Sequence, residues 1–197
     1  MGPRGRRGLT VPTTGDAPPV EAMVFAAGLG TRLRPLTDRM PKALVEVGGV
    51  PLLEHVARRL VAAGVTRIVV NVHPFADQVE RFVRDRDGFG VEVVLSREER
   101  PLETGGGLLH APALLRATGP ILLHNVDVWT DLPLDALLRA HRAERALATL
   151  AVADRPSSRR LLFDDLGLLG RTDAGSGSDR RTRPATGEVR SLAFSGV

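Results

Sequence analysis

Residues 20–37 read VEAMVFAAGLGTRLRPLT. The first part of this stretch, Val20 to Ala27, is a predominantly apolar run, which predicts a strand buried on both faces of a sheet. Two glycines follow and predict a loop whose backbone N–H groups turn toward a ligand such as a phosphate or the edge of a nucleobase. Arg32 and Lys42 add cations that complement a polyphosphate. The stretch therefore predicts a buried strand followed by an anion-binding loop.

The two glycines, Gly28 and Gly30, do not identify the ligand by themselves. They are equally compatible with an ordinary strand-to-helix turn that carries surface cations. The loop does not match the dinucleotide fingerprint, because Leu33 occupies the place of its third glycine, and no Gly-Lys-Ser/Thr follows as in a Walker A loop. Its interpretation depends on the rest of the chain.

The hydrophobic pattern around this loop divides residues 20–153 into alternating elements. Helices are predicted at 51–63, 76–86, 108–116 and 134–143, and strands at 20–27, 65–72, 91–96, 120–126 and 146–153. This order predicts an α/β protein with a doubly wound, mostly parallel, Rossmann-like sheet in three α/β/α layers. Ligands bind such sheets at the carboxyl ends of the strands, so the loops after residues 27, 72, 96 and 126 are the candidates for a site.

The segment LETGGG at residues 102–107 is the second candidate. Three consecutive glycines would each destabilise a helix interior by roughly 1 kcal/mol relative to alanine. We therefore predict a loop against which a ligand packs, with a helix beginning after it that offers free N–H groups. A flexible connector is the alternative interpretation.

The segment NVDVWTD at residues 125–131 closes a very apolar predicted strand. A carboxylate at the carboxyl end of a central strand is well placed to hold Mg²⁺ at the ligand crevice, so Asp127 is the candidate metal ligand; the alternative is an Asp that caps the next turn. Trp129 is predicted to pack. Asn71 and His73, at the end of an earlier strand, could line a substrate pocket, although such polar pairs are more often structural.

Residues 26–37 together with Pro41 and Lys42 resemble the signature of the sugar-1-phosphate nucleotidyltransferase family, A-G-x-G-x-R-L-x-P-L-T followed by P-K. The resemblance implies that the chain joins a nucleoside triphosphate to a sugar 1-phosphate and releases pyrophosphate. It implies that Arg32 holds the phosphates that leave and that Lys42 contacts the phosphates of the reacting pair. It places in the loop that wraps the nucleotide Ala27, Gly28, Gly30 and Thr31.

The other two segments resemble one branch of that family, the uridylyltransferases acting on N-acetylmuramate 1-phosphate. By this resemblance UTP is the favoured nucleotide and Asp127 binds Mg²⁺. The resemblance also implies that base and ribose are contacted by Glu103, Thr104, Gly105 and Gly106, and that the loop approaches the sugar at Gly107. From their positions at strand ends, Asn71 and Asn125 are expected to bind the substrate as well. One departure is that Val126 stands where the family usually has glycine, so we expect its side chain to crowd the metal or the sugar phosphate.

The resemblance extends from about residue 20 to residue 155. We expect a flexible basic leader over residues 1–19 and a single domain over residues 20–197, with a mobile loop at 171–187. The family continues with a segment that closes the sugar pocket and supplies a second metal-binding aspartate. No residue here matches that segment, so we expect a domain truncated at its C-terminus and of reduced activity.

Composition restricts the alternatives. There is no cysteine, which excludes disulfides and thiolate metal sites and fits a cytoplasmic protein. No apolar stretch approaches the roughly 20 residues of a membrane span, so no membrane partner is expected. The net charge of +4 arises from basic residues interspersed with acids, and only 4% of residues are aromatic. Nucleic-acid binding is therefore disfavoured.

Three alternatives to the uridylyltransferase remain open at this point. The first is a guanylyltransferase for mannose or heptose 1-phosphate, although such enzymes often have a G-T-A-G form where this chain has Glu103 to Gly106. The second is a catalytically incomplete nucleotide-binding module. The third is a nucleic-acid-binding protein, which would bind DNA or RNA in a strongly salt-dependent way.

Overall fold

The computed structural model describes residues 19–116, 118–158, 160–173 and 175–197. Apart from position 19, the predicted basic leader lies outside these residues. The described helices are α1 Leu52–Ala62, α2 Ala76–Asp85, α3 Glu103–His110 and α4 Leu134–Glu144. The described strands are β1 Val20–Phe25, β2 Glu46–Val47, β3 Val50–Pro51, β4 Val65–Val72, β5 Glu92–Arg97, β6 Ile121–Asn125, β7 Val152–Ala153, β8 Arg160–Asp164, β9 Gly167–Thr172, β10 Asp179–Arg181 and β11 Arg190–Phe194.

The central sheet has the strand order β5-β4-β1-β6, and every neighbouring pair is parallel. In the middle of the sheet, Met23 of β1 lies between Val69 of β4 and Leu123 of β6. The chain moves outward from β1 through β4 to β5 and then returns to the other side of β1. The order therefore reverses between β1 and β6, which is the arrangement predicted from the sequence and the place where such sheets bind ligands.

Side chains of β1 alternate between two cores, one on each face of the sheet. Ala22 and Val24 join the larger core, which is covered by α1, α2 and α4. Met23 and Phe25 join a smaller core on the opposite face, where they pack with Leu108 of α3. A strand buried on both faces has no polar side, and this explains the near-continuous apolar run at the start of the domain. The predicted three-layer arrangement is confirmed.

Helix α3 begins earlier than the sequence predicted, and the glycine run lies inside it. The prediction of a loop at residues 102–107 and a helix at 108–116 was wrong. One reason is close packing: a Cβ built on Gly107 would lie 2.7 Å from Nδ2 of Asn71 and 2.9 Å from Oε1 of Glu98. Glycine lets the helix approach buried side chains that alanine would push away, and this contact outweighs the low helix propensity of glycine. The helix ends immediately before Ala111 and Pro112.

The second sheet is antiparallel and has the order β10-β9-β8-β11-β7. It contains a hairpin formed by β8 and β9, which turns between Asp164 and Gly167. The predicted strand at 146–153 is wrong for most of its length, because only β7 is extended there, and it pairs with β11 in this second sheet. Apolar residues outside a strand can also be buried, as Ala151 is in the larger core, so the apolar composition of this stretch did not require a strand.

The segment 171–187 has more structure than the loop predicted there. It includes the end of β9 and the whole of β10. Arg183 and the backbone N–H of Thr186 both donate to the buried carboxylate of Asp164. These bonds hold the pKa of Asp164 far below its usual range, chiefly through the Arg183 guanidinium. The mobility expected of this segment stays a prediction.

Within the described residues, no helix is both long enough and apolar enough to cross a membrane.

Candidate active site

The carboxyl ends of the four parallel strands lie at one edge of the central sheet. Paired positions at that edge are Phe25 of β1, Asn71 of β4, Ser96 of β5 and Asn125 of β6. Each strand is followed by a segment that the sequence singled out. The fold therefore brings the three candidate segments, distant along the chain, to the same edge.

The glycine loop after β1 is folded back on itself. Gly30 has a φ of 62°, a left-handed conformation that glycine adopts without strain. A Cβ at this position would lie 2.8 Å from Cγ2 of Thr37 and 3.2 Å from Cβ of Lys42. Thr37 also donates its hydroxyl to the carbonyl of Gly30 at 2.9 Å. The glycine is thus required by conformation and by packing, and it brings the chain round so that Lys42 returns to the loop.

The cations of the loop differ in their surroundings. Arg32 lies in a short 3-10 turn, Thr31–Leu33, and is exposed; among the residues described it forms no ion pair. Thr31 and Gly28 are also exposed. Lys42, by contrast, is mostly buried and its ammonium contacts Oδ2 of Asp127. One cation is therefore free to meet an anion, whereas the other is already paired.

Asp127 follows β6 and keeps 39% of its side chain exposed. Val126, which was expected to crowd the metal or sugar phosphate, points the other way: it is 2% exposed and belongs to the larger core. That expectation was wrong, because the residue before Asp127 faces the helices instead of the crevice. Trp129 was predicted to pack, yet it is 66% exposed and contacts the edge of His55 on α1.

Asn71 is 3% exposed, and both polar atoms of its amide have protein partners. Its Oδ1 accepts from the backbone N–H groups of Ala26 at 2.6 Å and Ala27 at 3.3 Å. Its Nδ2 donates to Oε1 of Glu98 at 2.8 Å. Glu98 was not predicted from the sequence, because nothing in the charged run at residues 97–100 distinguishes a buried glutamate from an exposed one. Contact between Asn71 and a substrate stays a prediction; the structure gives it protein partners.

The first turn of α3 is open to solvent. Glu103, Thr104 and Gly105 are exposed, and no atom lies within 4 Å of a Cβ built on Gly105. Glu103 has a φ of 60°, which costs an L-residue on the order of 1–2 kcal/mol. Strain of this kind concentrates at functional sites. Gly106 and Gly107 lie deeper, with Gly107 buried against Asn71.

Asn125 lies beside the end of the chain. Its backbone N–H donates to the carbonyl of Gly196 at 3.0 Å. A Cβ on Gly196 would lie 3.1 Å from Nδ2 of Asn125. The half-buried Asn125 thus borders both the crevice and the segment after β11, and its predicted contact with the sugar stays a prediction.

A metal would have to be held by few protein groups. Among the residues described, no cluster of three or more His, Asp or Glu side chains could bind an ion. The carboxylate of Asp127 nevertheless fits a cation, since the ammonium of Lys42 already occupies it. Mg²⁺ is commonly bound through one or two carboxylates together with substrate phosphates. The residues present fit that mode and no all-protein cage.

His124 lies on β6 beside the site and is 1% exposed, and its surroundings favour the neutral imidazole. Burial lowers its pKa, and the nearby Arg59 lowers it further, while a hydrogen bond to the carbonyl of Asn125 and the charge of Asp127 oppose the shift. Its Nδ1 lies 2.8 Å from that carbonyl, and its Nε2 has no partner in the described structure. A neutral imidazole is therefore buried beneath the crevice.

Two cavities border these elements. One of about 220 Å³ lies against the glycine loop and is lined by Gly28, Lys42 and His73, among others. A larger one, about 510 Å³, lies between β6 and α4 and is mainly apolar. None of the predicted site residues lines the larger cavity, so we assign the chemistry to the loop side.

Comparisons with known proteins agree with this geometry. A family model described as "Nucleotidyl transferase" matches residues 21–161. The chain is 44% identical over 187 residues to N-acetylmuramate alpha-1-phosphate uridylyltransferase of Caulobacter vibrioides, covering 91% of this chain and 74% of that protein. It is 37% identical over 153 residues to the mannose-1-phosphate guanylyltransferase catalytic subunit beta of Drosophila pseudoobscura pseudoobscura, covering 75% of this chain and 41% of that protein.

A solved structure supports the fold independently. The crystal structure of HddC from Yersinia pseudotuberculosis superposes with a TM-score of 0.65 at 21% identity, over 89% of this chain and 74% of that one. The glycine loop, the strand-end aspartate and the parallel sheet all lie within the matched family region. The chain therefore belongs to the nucleotidyl transferase family.

Proposed function

We propose that this protein is a sugar-1-phosphate nucleotidyltransferase that transfers UMP from UTP to N-acetylmuramate 1-phosphate and releases pyrophosphate. The 44% identity to a uridylyltransferase with that sugar in its name supports the proposal. The segments LETGGG and DVWTD, which resemble the same branch, support it as well. UTP, N-acetylmuramate 1-phosphate and a cytoplasmic location are the finer parts of the proposal.

The observation that carries the proposal is the contact between Lys42 and Asp127. It joins a cation from the segment after the glycine loop to the carboxylate that follows β6, across the point where the strand order reverses. A cation and a metal-binding carboxylate in one place are what two polyanionic substrates require. Catalysis of this transfer consists mainly of positioning and charge neutralisation.

In the proposed reaction, a phosphate oxygen of the sugar 1-phosphate attacks the α-phosphorus of the nucleotide. The bond from the α-phosphorus to the bridging oxygen breaks, and pyrophosphate leaves with the electron pair. Arg32, exposed and unpaired among the described residues, binds the leaving phosphates. Lys42 contacts the phosphates of the reacting pair once it has left Asp127.

The exposed first turn of α3 contacts the base and ribose in this proposal, through Glu103, Thr104 and the backbone of Gly105. Asp127 would hold Mg²⁺, whose positive charge would neutralise phosphate oxygens. The protein supplies the remaining contribution: backbone N–H groups and cations fixed in place before the substrates arrive.

The deciding experiment measures pyrophosphate release with Mg²⁺ for UTP, GTP, CTP and dTTP, each against N-acetylmuramate, N-acetylglucosamine, mannose and glucose 1-phosphates. We expect release with UTP and N-acetylmuramate 1-phosphate. Asp127→Ala should abolish it while thermal unfolding stays cooperative. The matched control is Asp85→Ala, an exposed aspartate at the far end of α2, which should retain full activity. Normal turnover by Asp127→Ala would refute the metal assignment.

A guanylyltransferase is the second candidate, and the 37% identity to a mannose-1-phosphate guanylyltransferase favours it. Release confined to GTP with mannose 1-phosphate would establish it. A nucleotide-binding module without transfer activity is the third. Binding can be followed separately, because the chain has one tryptophan and no tyrosine, so its emission reports on Trp129 alone. Nucleotide binding without pyrophosphate release would identify such a module.

A further inference from the structure

Glu98 is a buried carboxylate located between β5 and α3, with 6% of its surface exposed. Both of its oxygens accept hydrogen bonds: Oε1 from Nδ2 of Asn71 at 2.8 Å, and Oε2 from the N–H of Leu102 at 3.0 Å. No ion pair to a cation compensates it within the described residues. A buried charge must be compensated, and here neutral donors serve that purpose, with the N-terminus of α3 adding a favourable dipole.

The backbone of Glu98 is anchored to the neighbouring strand. Its N–H donates to the carbonyl of Val72 at 2.8 Å, and its carbonyl lies 2.9 Å from Nδ1 of His73. These bonds fix where the carboxylate stands relative to β4. The residue is therefore a rigid point at the carboxyl edge of the sheet.

Asn71 connects this rigid point to the glycine loop. Its Oδ1 accepts hydrogen bonds from the N–H groups of Ala26 and Ala27, which lead directly into the loop. Its Nδ2 donates a hydrogen bond to Glu98. A continuous chain of hydrogen bonds thus runs from the start of the loop, through Asn71 and Glu98, to the first residue before α3. It links the two segments to which the proposed function assigns opposite ends of the nucleotide.

Gly107 of α3 packs directly against the hydrogen-bonded pair of Asn71 and Glu98. Because a Cβ there would come within 3 Å of both Asn71 and Glu98, the helix lies directly on the bonded pair. The helix therefore cannot move closer to the sheet without displacing the pair, and the N–H of Leu102 ties its first turn to Glu98. The spacing of loop and helix is therefore set by two side chains and one glycine.

We propose that Asn71 and Glu98 are positioning residues that hold the glycine loop and α3 at the separation a nucleoside triphosphate requires. The inference rests on the proposed nucleotide binding and adds a positioning role that the hydrogen bonds of these two side chains to the protein support. A displacement of about 1 Å at a binding site can cost about 100-fold in rate. A glutamate is required, because glutamine would offer one acceptor where two donors converge.

A double-mutant cycle tests this. Glu98→Gln puts an amide donor opposite Nδ2 of Asn71 or the N–H of Leu102. Asn71→Asp puts a second carboxylate against Glu98. In the double variant, the carboxylate introduced at position 71 still accepts from Ala26 and Ala27, and it also accepts from the amide introduced at position 98. The network and its net charge are then restored with the bond direction reversed.

The measurement is the Kd for UTP with Mg²⁺, from calorimetry and from Trp129 emission, with thermal unfolding recorded in parallel. We expect the Kd of each single variant for UTP to rise about tenfold or more, which corresponds to about 1.4 kcal/mol. The double variant should recover a Kd within about threefold of the wild-type value, because its hydrogen bonds are restored. Glu99→Gln, at the exposed neighbouring glutamate, should bind normally.

Single variants that unfold earlier but bind with unchanged Kd would overturn the inference, since the pair would then serve the fold alone. A double variant that fails to recover would overturn it too. If the wild type binds none of the four nucleotides, the proposed function fails and this inference fails with it. If the wild type binds UTP but all four proteins of the cycle have the same Kd, the positioning role is refuted and the proposed function stands.

Discussion

The ammonium of Lys42 contacts the carboxylate of Asp127, although 85 positions separate the two residues. Lys42 belongs to the segment that follows the glycine loop, and Asp127 lies two residues after the end of β6. The pair closes the site in the free protein with a cation supplied by the chain. A divalent metal that uses Asp127 must compete with that ammonium, and the released lysine is then available to phosphates.

Lys42→Met should therefore strengthen metal binding by the free protein while weakening catalysis. Asp127 is 39% exposed, so the pair is worth only about 0.2–1 kcal/mol, and we expect Mn²⁺ binding, measured by electron paramagnetic resonance, to be tighter by a factor of roughly 1.4 to 5. Pyrophosphate release should fall about 100-fold or more, as when one charge-stabilising donor is lost. Unchanged Mn²⁺ affinity would mean that the ammonium does not compete for the carboxylate.

Two glycines of α3 should respond oppositely to alanine. Gly107→Ala forces a methyl group against Asn71 and Glu98 and should destabilise the protein by about 1–3 kcal/mol. Gly105→Ala meets no atom and should stabilise the free protein by about 0.5–1 kcal/mol. Urea unfolding measures both. Nucleotide affinity should nevertheless fall in Gly105→Ala, because the backbone there is proposed to approach the ligand; equal effects on stability would contradict the helix packing.

Replacing Glu103 by glycine should make the protein more stable. Its φ of 60° strains an L-residue, so Glu103→Gly should raise the free energy of unfolding by about 1 kcal/mol and the Tm by about 2–4 °C. Arg145→Gly is the matched control, because Arg145 has a φ of 48° at the exposed end of α4, away from the site. Both variants should gain stability, but only Glu103→Gly should lose nucleotide affinity. Affinity unchanged in both would remove Glu103 from the site.

His124 should make the protein less stable in mild acid. Its pKa is lowered in the folded state, chiefly by burial, so below about pH 6.5 the unfolded chain binds more protons than the folded one. Stability is then complete above that pH and declines as the pH falls toward the folded-state pKa.

Urea midpoints between pH 8 and pH 5 measure this effect. His124→Gln should flatten the decline, whereas His110→Gln, at an exposed position of α3, should leave it intact. A wild-type midpoint that does not change between pH 7 and pH 5 would contradict the burial of a neutral imidazole at this position.

The sequence by itself determined the parallel sheet and the loops that carry the site. The apolar run Val20 to Ala27, the β-branched strand Val65–Val72 and the periodic helix Leu52–Ala62 each have a local pattern, because burial on one or two faces acts on neighbouring residues in the chain. The glycine loop and the strand-end Asp127 could be placed for the same reason: ligands meet a doubly wound sheet at its carboxyl edge.

Only the tertiary structure decided the rest. Gly107 lies in a helix that packs on Asn71 of β4 and on Glu98, which follows β5, and local helix propensity does not include that contact. Val126 faces the core instead of the metal because β6 has helices on that face. The pairing of Lys42 with Asp127 and the bridging role of Glu98 depend on residues far apart in sequence. Such contacts form only when loop closure brings the strand ends together, so a single chain read locally cannot reveal them.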